Sequence, residues 1–384
     1  MKELQKQLIT WRRALHQIPE LGLHLPQTTQ YIKSCLDEMN ITYQSYDDIS
    51  CIVATIGQGD KCFLLRSDID GLPISETSSY PFASKNGCMH ACGHDFHGAI
   101  LLGAAKILKE HEEALNGCVK LLFQAGEETT EGATAILQKG ILEEPKVEAA
   151  LAFHVNALIP CGVVSTGKEA MSATHGFRIT FNGKGGHGSM PEKCIDPLNA
   201  AIQLYLAFQS LIAREISASE EAVLTIGQLH AGTRPNIIPE SVYLEGTLRT
   251  FHKDIKEYLV QRMQEVSKGI ALTYRCQSSY ETLFDCNPLI TDDVISEYVE
   301  QSMLKVEPNI IIQKDGHSMA SEDFAEFSQR VPSAHYMIGA APIDETKRFG
   351  LHHPQIEFNE DVLLLGARIY AQAAMDFCNK ETSS

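Results

Sequence analysis

Three short apolar runs, KCFLLRSDID (61–70), VKLLFQAGEE (119–128) and VEAALAFHV (147–155), each close on carboxylates or an imidazole, with helical patterns between them. Continuous apolar runs that alternate with helices constrain a chain strongly. Such strands bury both faces, so helices must cover a largely parallel sheet. In sheets of this kind ligands gather at the carboxyl ends of the strands. Asp68, Asp70, Glu127, Glu128 and His154 all fall at such ends. The expected fold is therefore α/β, a mostly parallel central sheet with flanking helices and its chemistry along one edge.

The spacing of apolar residues predicts helices over 4–16, 28–39, 99–113 and 130–139, and a further strand over 51–57. After about residue 172 the pattern changes. A strand (175–182), a helix (196–216), two strands (222–230 and 241–250), a helix (253–268) and a strand (271–283) give the order βαββαβ. That order is the ferredoxin-like unit, complete in itself. It implies a discontinuous larger domain, 1–172 with 285–384, and an inserted α+β domain over 173–284. The larger domain resumes with helices over 292–305 and 359–378 and a strand over 334–338.

The densest chemistry lies in HACGHDFH (90–97), where Cys92, His94, Asp95 and His97 offer thiolate, imidazole and carboxylate groups that divalent transition metals select. A self-contained zinc knuckle built from Cys88, His90, Cys92, His94 and His97 is one reading. It is disfavoured because closed structural sites usually separate two ligand pairs by a loop. Glu127 and Glu128 are adjacent, so on an extended backbone they would face opposite ways. One can ligate a metal while the other takes a proton from metal-activated water, although a solvated acidic turn is the plainer alternative. His154 closes an apolar strand and could equally be a satisfied core histidine. His352 and His353, in GLHHPQIEF, could be surface residues.

Taken together, Cys92, His94, Glu128, His154 and one of the two late histidines form a mixed S/N/O set. That is too many ligands for one structural zinc and enough for two catalytic ions. Asp70 is left to orient a ligand from behind, and His97 reads as structural. GKGGHG (183–188) formally matches a dinucleotide fingerprint, but the following SMPEKCID delays the helix that such a motif must open. Either it is a plain hairpin loop, or its glycines hold His187 on a tight loop of the inserted domain as a donor to a developing oxyanion. No HExxH, GxSxG or P-loop pattern is present.

Bulk properties narrow the partners. The net charge of −17 argues against nucleic acid and anionic membranes. No apolar run approaches the ~20 residues that span a bilayer, and the charged, helical MKELQKQLITWRR is not a signal peptide. Eleven cysteines, an odd number without framework spacing, fit reduced thiols and a cytoplasmic protein.

With these residues in hand, the chain closely resembles the aminoacylase and carboxypeptidase family of co-catalytic metallopeptidases. It is most similar to the branch of the auxin-conjugate (IAA-amino acid) amidohydrolases and bacterial N-acyl-amino-acid deacylases. The resemblance rests on HQIPELG (16–22), RSDIDGLPI (66–74), MHACGHD (89–95), QAGEE (124–128), FHV (153–155), GKGGHGSMP (183–191), TRPNIIPE (233–240), GTLRTF (246–251), SEDF (321–324) and LHHP (351–354). Departures are small: QAGEE for the usual QPAEE, Phe96 where glycine is common, and HHP for HSP.

The resemblance implies a catalytic domain carrying two divalent ions and an inserted lid through which such proteins often form homodimers. It carries over Cys92, His94, Glu128, His154 and His352 as metal ligands and Glu127 as general base. His187 matches the lid histidine that stabilises the tetrahedral intermediate, often from the neighbouring subunit. Asn236 and Arg249 match lid positions implicated in substrate contact, beside which a turn residue and a strand-surface charge remain open readings. The ligand types suit zinc or manganese, with cobalt or nickel also compatible. The implied reaction is hydrolysis of the amide bond in N-acyl amino acids or similar small conjugates by a metal-bridged water. A dipeptidase or carboxypeptidase of the same mechanism, an N-acetyl-diaminopimelate deacetylase, and a non-catalytic metal sensor or scaffold are the alternatives.

Overall fold

A computed structural model describes residues 1–379. The chain clusters into two compact units. The larger is Met1–Ala170 with Ile290–His317 and the residues from Asp323 onward; the smaller is Met171–Leu289 with Ser318–Glu322.

The larger unit is built on an eight-stranded sheet. Its strand order is Tyr43–Tyr46, Cys51–Gly57, Cys118–Gln124, Cys62–Asp68, Ala149–Asn156, Ser333–Gly339, Val163–Ser165, Ile311–Gln313. The four central strands run parallel, as expected where helical segments separate them. The short connection between Tyr46 and Cys51 permits only antiparallel pairing. Every residue of Cys62–Asp68 and Cys118–Gln124 is buried, which accounts for their continuous apolar runs.

Two local differences from the sequence reading bear on the site. The helix behind HACGHDFH begins at His94 rather than near Ala99 and runs to Glu110. Gly93, at φ 89°, turns the chain straight into it, a conformation that glycine adopts without steric cost. The strand before the paired glutamates stops at Gln124, and Gly126, at φ 77°, turns the chain. Glu127 and Glu128 therefore sit in a turn, and the alternation of an extended backbone does not apply to them.

The sheet also parts at its carboxyl end. Pairing between Cys62–Asp68 and Ala149–Asn156 ends at Arg66 and Ala152. Beyond it, the Phe153 N–H donates to Tyr370 Oη at 2.7 Å and the Val155 N–H to His97 Nε2 at 2.8 Å. Tyr370 Oη in turn donates to the Arg66 carbonyl at 2.8 Å. Side chains thus replace the missing strand partners.

The smaller unit has four antiparallel strands ordered Ala222–Ala231, Ser241–Thr250, Ala173–Asn182, Gln277–Cys286, with helices Pro197–Arg214 and Lys253–Thr273. Phe177, Ile179 and Phe181 alternate along one strand and pack with Leu204, Phe208, Leu259 and Met263 of the two helices. Each such side chain contributes roughly 1.5–3 kcal/mol on full burial. The second helix overrides the expected strand start at residue 271. Leu259, Met263, Ser267 and Ala271 recur at helical spacing and are buried, and the helix gives way only before Arg275, at φ 61°. Among the described residues no helix is long and apolar enough to cross a membrane, and all eleven cysteines are free thiols.

Candidate metal centre

Each donor reaches the centre from a different element of the larger unit. Cys92 precedes the Gly93 turn and His94 opens the helix behind it. Glu128 lies in the turn after Cys118–Gln124, His154 near the end of Ala149–Asn156, and His352 in the loop before the last helix. Donor atoms of Cys92, His94 and His154 lie within 4.8 Å of one another, as do those of Cys92, Glu128 and His352, and of His94, Glu127 and Glu128. Because these trios share Cys92, His94 and Glu128, they form one continuous cluster.

The separations suit metal coordination. Cys92 Sγ is 3.3 Å from both His154 Nε2 and His352 Nε2, and His352 Nε2 is 3.6 Å from Glu128 Oε2. Tetrahedral ligands at ~2.1 Å from one ion would stand ~3.4 Å apart. Two buried atoms facing the cluster, His94 Nε2 and Glu128 Oε1, have no hydrogen-bond partner and stand 3.9 Å apart. Buried polar atoms are nearly always satisfied, so the pair fits a site built for cations.

Hydrogen bonds behind the ligands set their tautomers. His154 Nδ1 donates to the Val155 carbonyl at 2.8 Å, and His94 Nδ1 lies 3.3 Å from Asp70 Oδ1. The first leaves Nε2 of the neutral His154 as the lone-pair nitrogen directed at the cluster, and the second would do the same for His94 once a cation displaced its Nε2 proton, the usual role of outer contacts around metal-binding histidines. Asp70 also accepts the Glu127 N–H on Oδ1 at 3.2 Å and the Glu128 N–H on Oδ2 at 3.1 Å. Glu127 Oε1 accepts the Asp323 N–H at 3.4 Å, and its Oε2 lies 4.0 Å from His94 Nε2.

Proton affinities follow from burial and neighbouring charge. Burial, reinforced by Glu128, pushes the Cys92 thiol well above its usual range. Burial also pushes Glu128 up to about 7. Burial opposes a charged His94 ring, but Asp68 and the Asp70 hydrogen bond outweigh it and hold the ring's pKa well above ordinary. Burial keeps His154 well below the usual imidazole range, and hence neutral. A cation entering this cluster would displace protons from Cys92, His94 and Glu128.

Other residues of HACGHDFH turn elsewhere. Asp95 forms an ion pair with Arg12 Nε and accepts from His16 Nδ1, each at 2.8 Å, and Arg12 lies 4.5–4.9 Å from the ring centroids of Tyr80, Phe82 and Phe96. His90 Nδ1 meets the Asp70 carbonyl at 3.1 Å. Cys88 belongs to none of the donor groups. His353 stacks on Phe349 at 4.1 Å, whereas His352, at φ 66°, places its ring at the cluster. Sequence reasoning missed the support beneath: Arg66 donates to Asp68 at 2.8 Å and to Asp323 at 2.5 Å, and Asp323 also accepts from Gln124 and the Ala133 N–H. The one signal was an arginine inside an otherwise apolar buried strand.

Within the smaller unit, His187 is exposed on the short strand Gly186–His187, which pairs with Ile237–Ile238. Its Nδ1 accepts the Ser189 N–H at 3.2 Å, so the neutral ring carries its proton on Nε2. Asn236 is exposed, its carbonyl accepting the Gly188 N–H at 2.8 Å. Arg249 is half-buried and donates to the Met319 carbonyl at 2.9 Å.

Comparison with known proteins agrees with this chemistry. Residues 64–376 match the family described as "Peptidase family M20/M25/M40". N-acetyl-L-cysteine deacetylase of Bacillus subtilis is 35% identical over 379 residues, covering 97% of this chain and 89% of the relative. IAA-amino acid hydrolase ILR1-like 2 of Arabidopsis thaliana is 35% identical over 384 residues, covering 98% and 86%. A crystal structure from Bacillus subtilis, described as a dinuclear metal binding peptidase from the M20 family, superposes with a TM-score of 0.83 at 30% identity and covers 98% of each chain.

Proposed function

This chain belongs to peptidase family M20/M25/M40 and is a metal-dependent amide hydrolase, and from that premise we propose that it removes the acyl group from N-acyl amino acids or similar small conjugates. One observation carries the reading: a largely buried S/N/O cluster, open to solvent at His352, whose Glu128 Oε1 and His94 Nε2 lack hydrogen-bond partners, with a second glutamate beside it. Cys92, His94, Glu128, His154 and His352 would hold two divalent ions, zinc suiting the thiolate and manganese the carboxylate. Bound there, the ions would polarise the scissile carbonyl and make water a nucleophile near neutral pH.

The chain's own groups do the rest. Glu127, placed by the Asp70 and Asp323 contacts, takes the proton of the attacking water and delivers it to the leaving amine. His187, with its proton on Nε2, serves as donor to the oxyanion, and Asn236 and Arg249 serve in substrate contact. The substrate class is supported by the deacetylase and amino-acid-conjugate hydrolase names of the relatives. A second copy would cover the apolar residues exposed on the smaller unit, Ile202, Tyr205 and Leu206 on one helix and Val223 and Leu229 on the outer strand. The free thiols suit the cytoplasm.

The test is Glu127→Gln on N-acetyl amino acids with unblocked dipeptides in parallel. The variant should retain both ions and lose about 10²–10⁴-fold in kcat. Near-normal turnover would remove Glu127 as base, and preference for unblocked dipeptides would replace the deacylase with a dipeptidase.

A further inference from the structure

His97 lies within the metal-type motif, is 2% exposed, and has no part in the mechanism above. Its atoms stand within reach of Asp68 and His94 as a further donor trio. Both ring nitrogens, however, are engaged. Nδ1 meets Asp68 Oδ1 at 2.5 Å, and Nε2 accepts the Val155 N–H at 2.8 Å. A backbone N–H can only donate, so Nε2 is unprotonated and the proton sits on Nδ1, directed at Asp68. No lone pair remains for a metal.

We propose that His97 is a positioning residue for His154, acting through Val155. The inference rests on His154 being a metal ligand. Where the two central strands part, the Val155 N–H points to the side that Cys62–Asp68 no longer fills, and His97 takes the place of that strand. Val155 is then held by its N–H, while its carbonyl accepts from His154 Nδ1 at 2.8 Å and so orients the ring that presents Nε2 to Cys92. The His97 and His154 rings also pack edge to face, with centroids 4.6 Å apart at 66°. His97 itself is anchored through Asp68, which Arg66 Nη1 holds at 2.8 Å. The chain of contacts runs from a buried arginine to a ligand imidazole.

Competition between the metal-free protein and a chromophoric chelator for Zn(II) tests this directly. His97→Ala should weaken one of the two ions by about 10–100-fold, the usual effect of losing an outer contact to a ligand, and leave the other unchanged. His97→Gln, whose amide oxygen can accept the Val155 N–H, should recover most of that loss. His154→Ala, the control, should lose the same ion. Wild-type affinity for both ions in His97→Ala would overturn the proposal. Unchanged binding in His154→Ala would overturn the ligand assignment beneath it, a different result. Should His97→Ala fail to fold by circular dichroism, the comparison passes to His97→Gln against His97→Asn. Only the glutamine reaches Val155, and equal affinities in those two would also overturn the proposal.

Discussion

Gly93→Ala strikes a position between two of the donor residues where backbone conformation and packing are both tight. With φ at 89°, any side chain at residue 93 carries a backbone strain on the order of 1–3 kcal/mol. A Cβ there would stand 2.3 Å from Val155 Cγ2 and 3.2 Å from Phe358 Cζ. Val155 and Phe358 are both buried, so overpacking adds about 1–3 kcal/mol. The sum, roughly 2–6 kcal/mol, is a large share of the ~5–15 kcal/mol that holds a typical protein folded. At ~2–4 °C per kcal/mol, calorimetry of the metal-free protein should register a fall of several degrees or more. Val155→Ala removes the Cγ2 atom but keeps the backbone strain at residue 93. The double variant should therefore be more stable than the two single costs predict, by about the overpacking contribution of 1–3 kcal/mol. Strict additivity would refute the clash, and a wild-type midpoint for Gly93→Ala alone would refute the whole argument.

Cys92→Ala should lose metal and activity while Cys88→Ala, outside every donor group, should change neither; equal losses, measured by elemental analysis and turnover, would point back to a local zinc knuckle. Zn(II) added to the stripped protein at about a hundred times its Kd should stabilise it by ~2.7 kcal/mol, seen as a raised thermal midpoint, and no shift would mean that the cluster does not bind the ion. In the smaller unit, burial opposes ionisation of Asp285, but hydrogen bonds from His175 and Lys256 outweigh it and lower its pKa. Its contribution is complete above the unfolded value of ~3.9 and is lost as pH falls through the lower folded value. Hydrogen-exchange protection of Gln277–Cys286 in Asp285→Asn should accordingly approach that of wild type as pH drops from about 6 to below 4, whereas a constant gap would contradict the ion pair.

Much of the larger sheet was legible because strands buried on both faces are apolar throughout, and the glutamates and His154 could be read near strand ends. The ferredoxin-like order was legible for a related reason, the switch between two-residue and helical spacing. Illegible features depend on residues far apart in the chain. Arg66 and Asp323 are 257 positions apart, and nothing near either names its partner. The turn at Gly126 looked like a continuing strand, because an apolar run carries no mark of where its pairing stops. His97 was seen only as a structural residue, since the N–H that it accepts becomes available through the parting of two strands. The three-residue strands Val163–Ser165 and Ile311–Gln313 are too short for periodicity to register.

Asp70 holds the His94 ring and the peptide groups of both Glu127 and Glu128 with a single carboxylate. Motion of that strand end is therefore common to the ligand and the proposed base: when Asp70 shifts, both are carried the same way and their spacing is nearly conserved. Separate anchors would let independent displacements accumulate in the distance that matters for proton transfer. A site built in this way tolerates a soft sheet edge, yet it is sensitive to any change in the length of the side chain at residue 70.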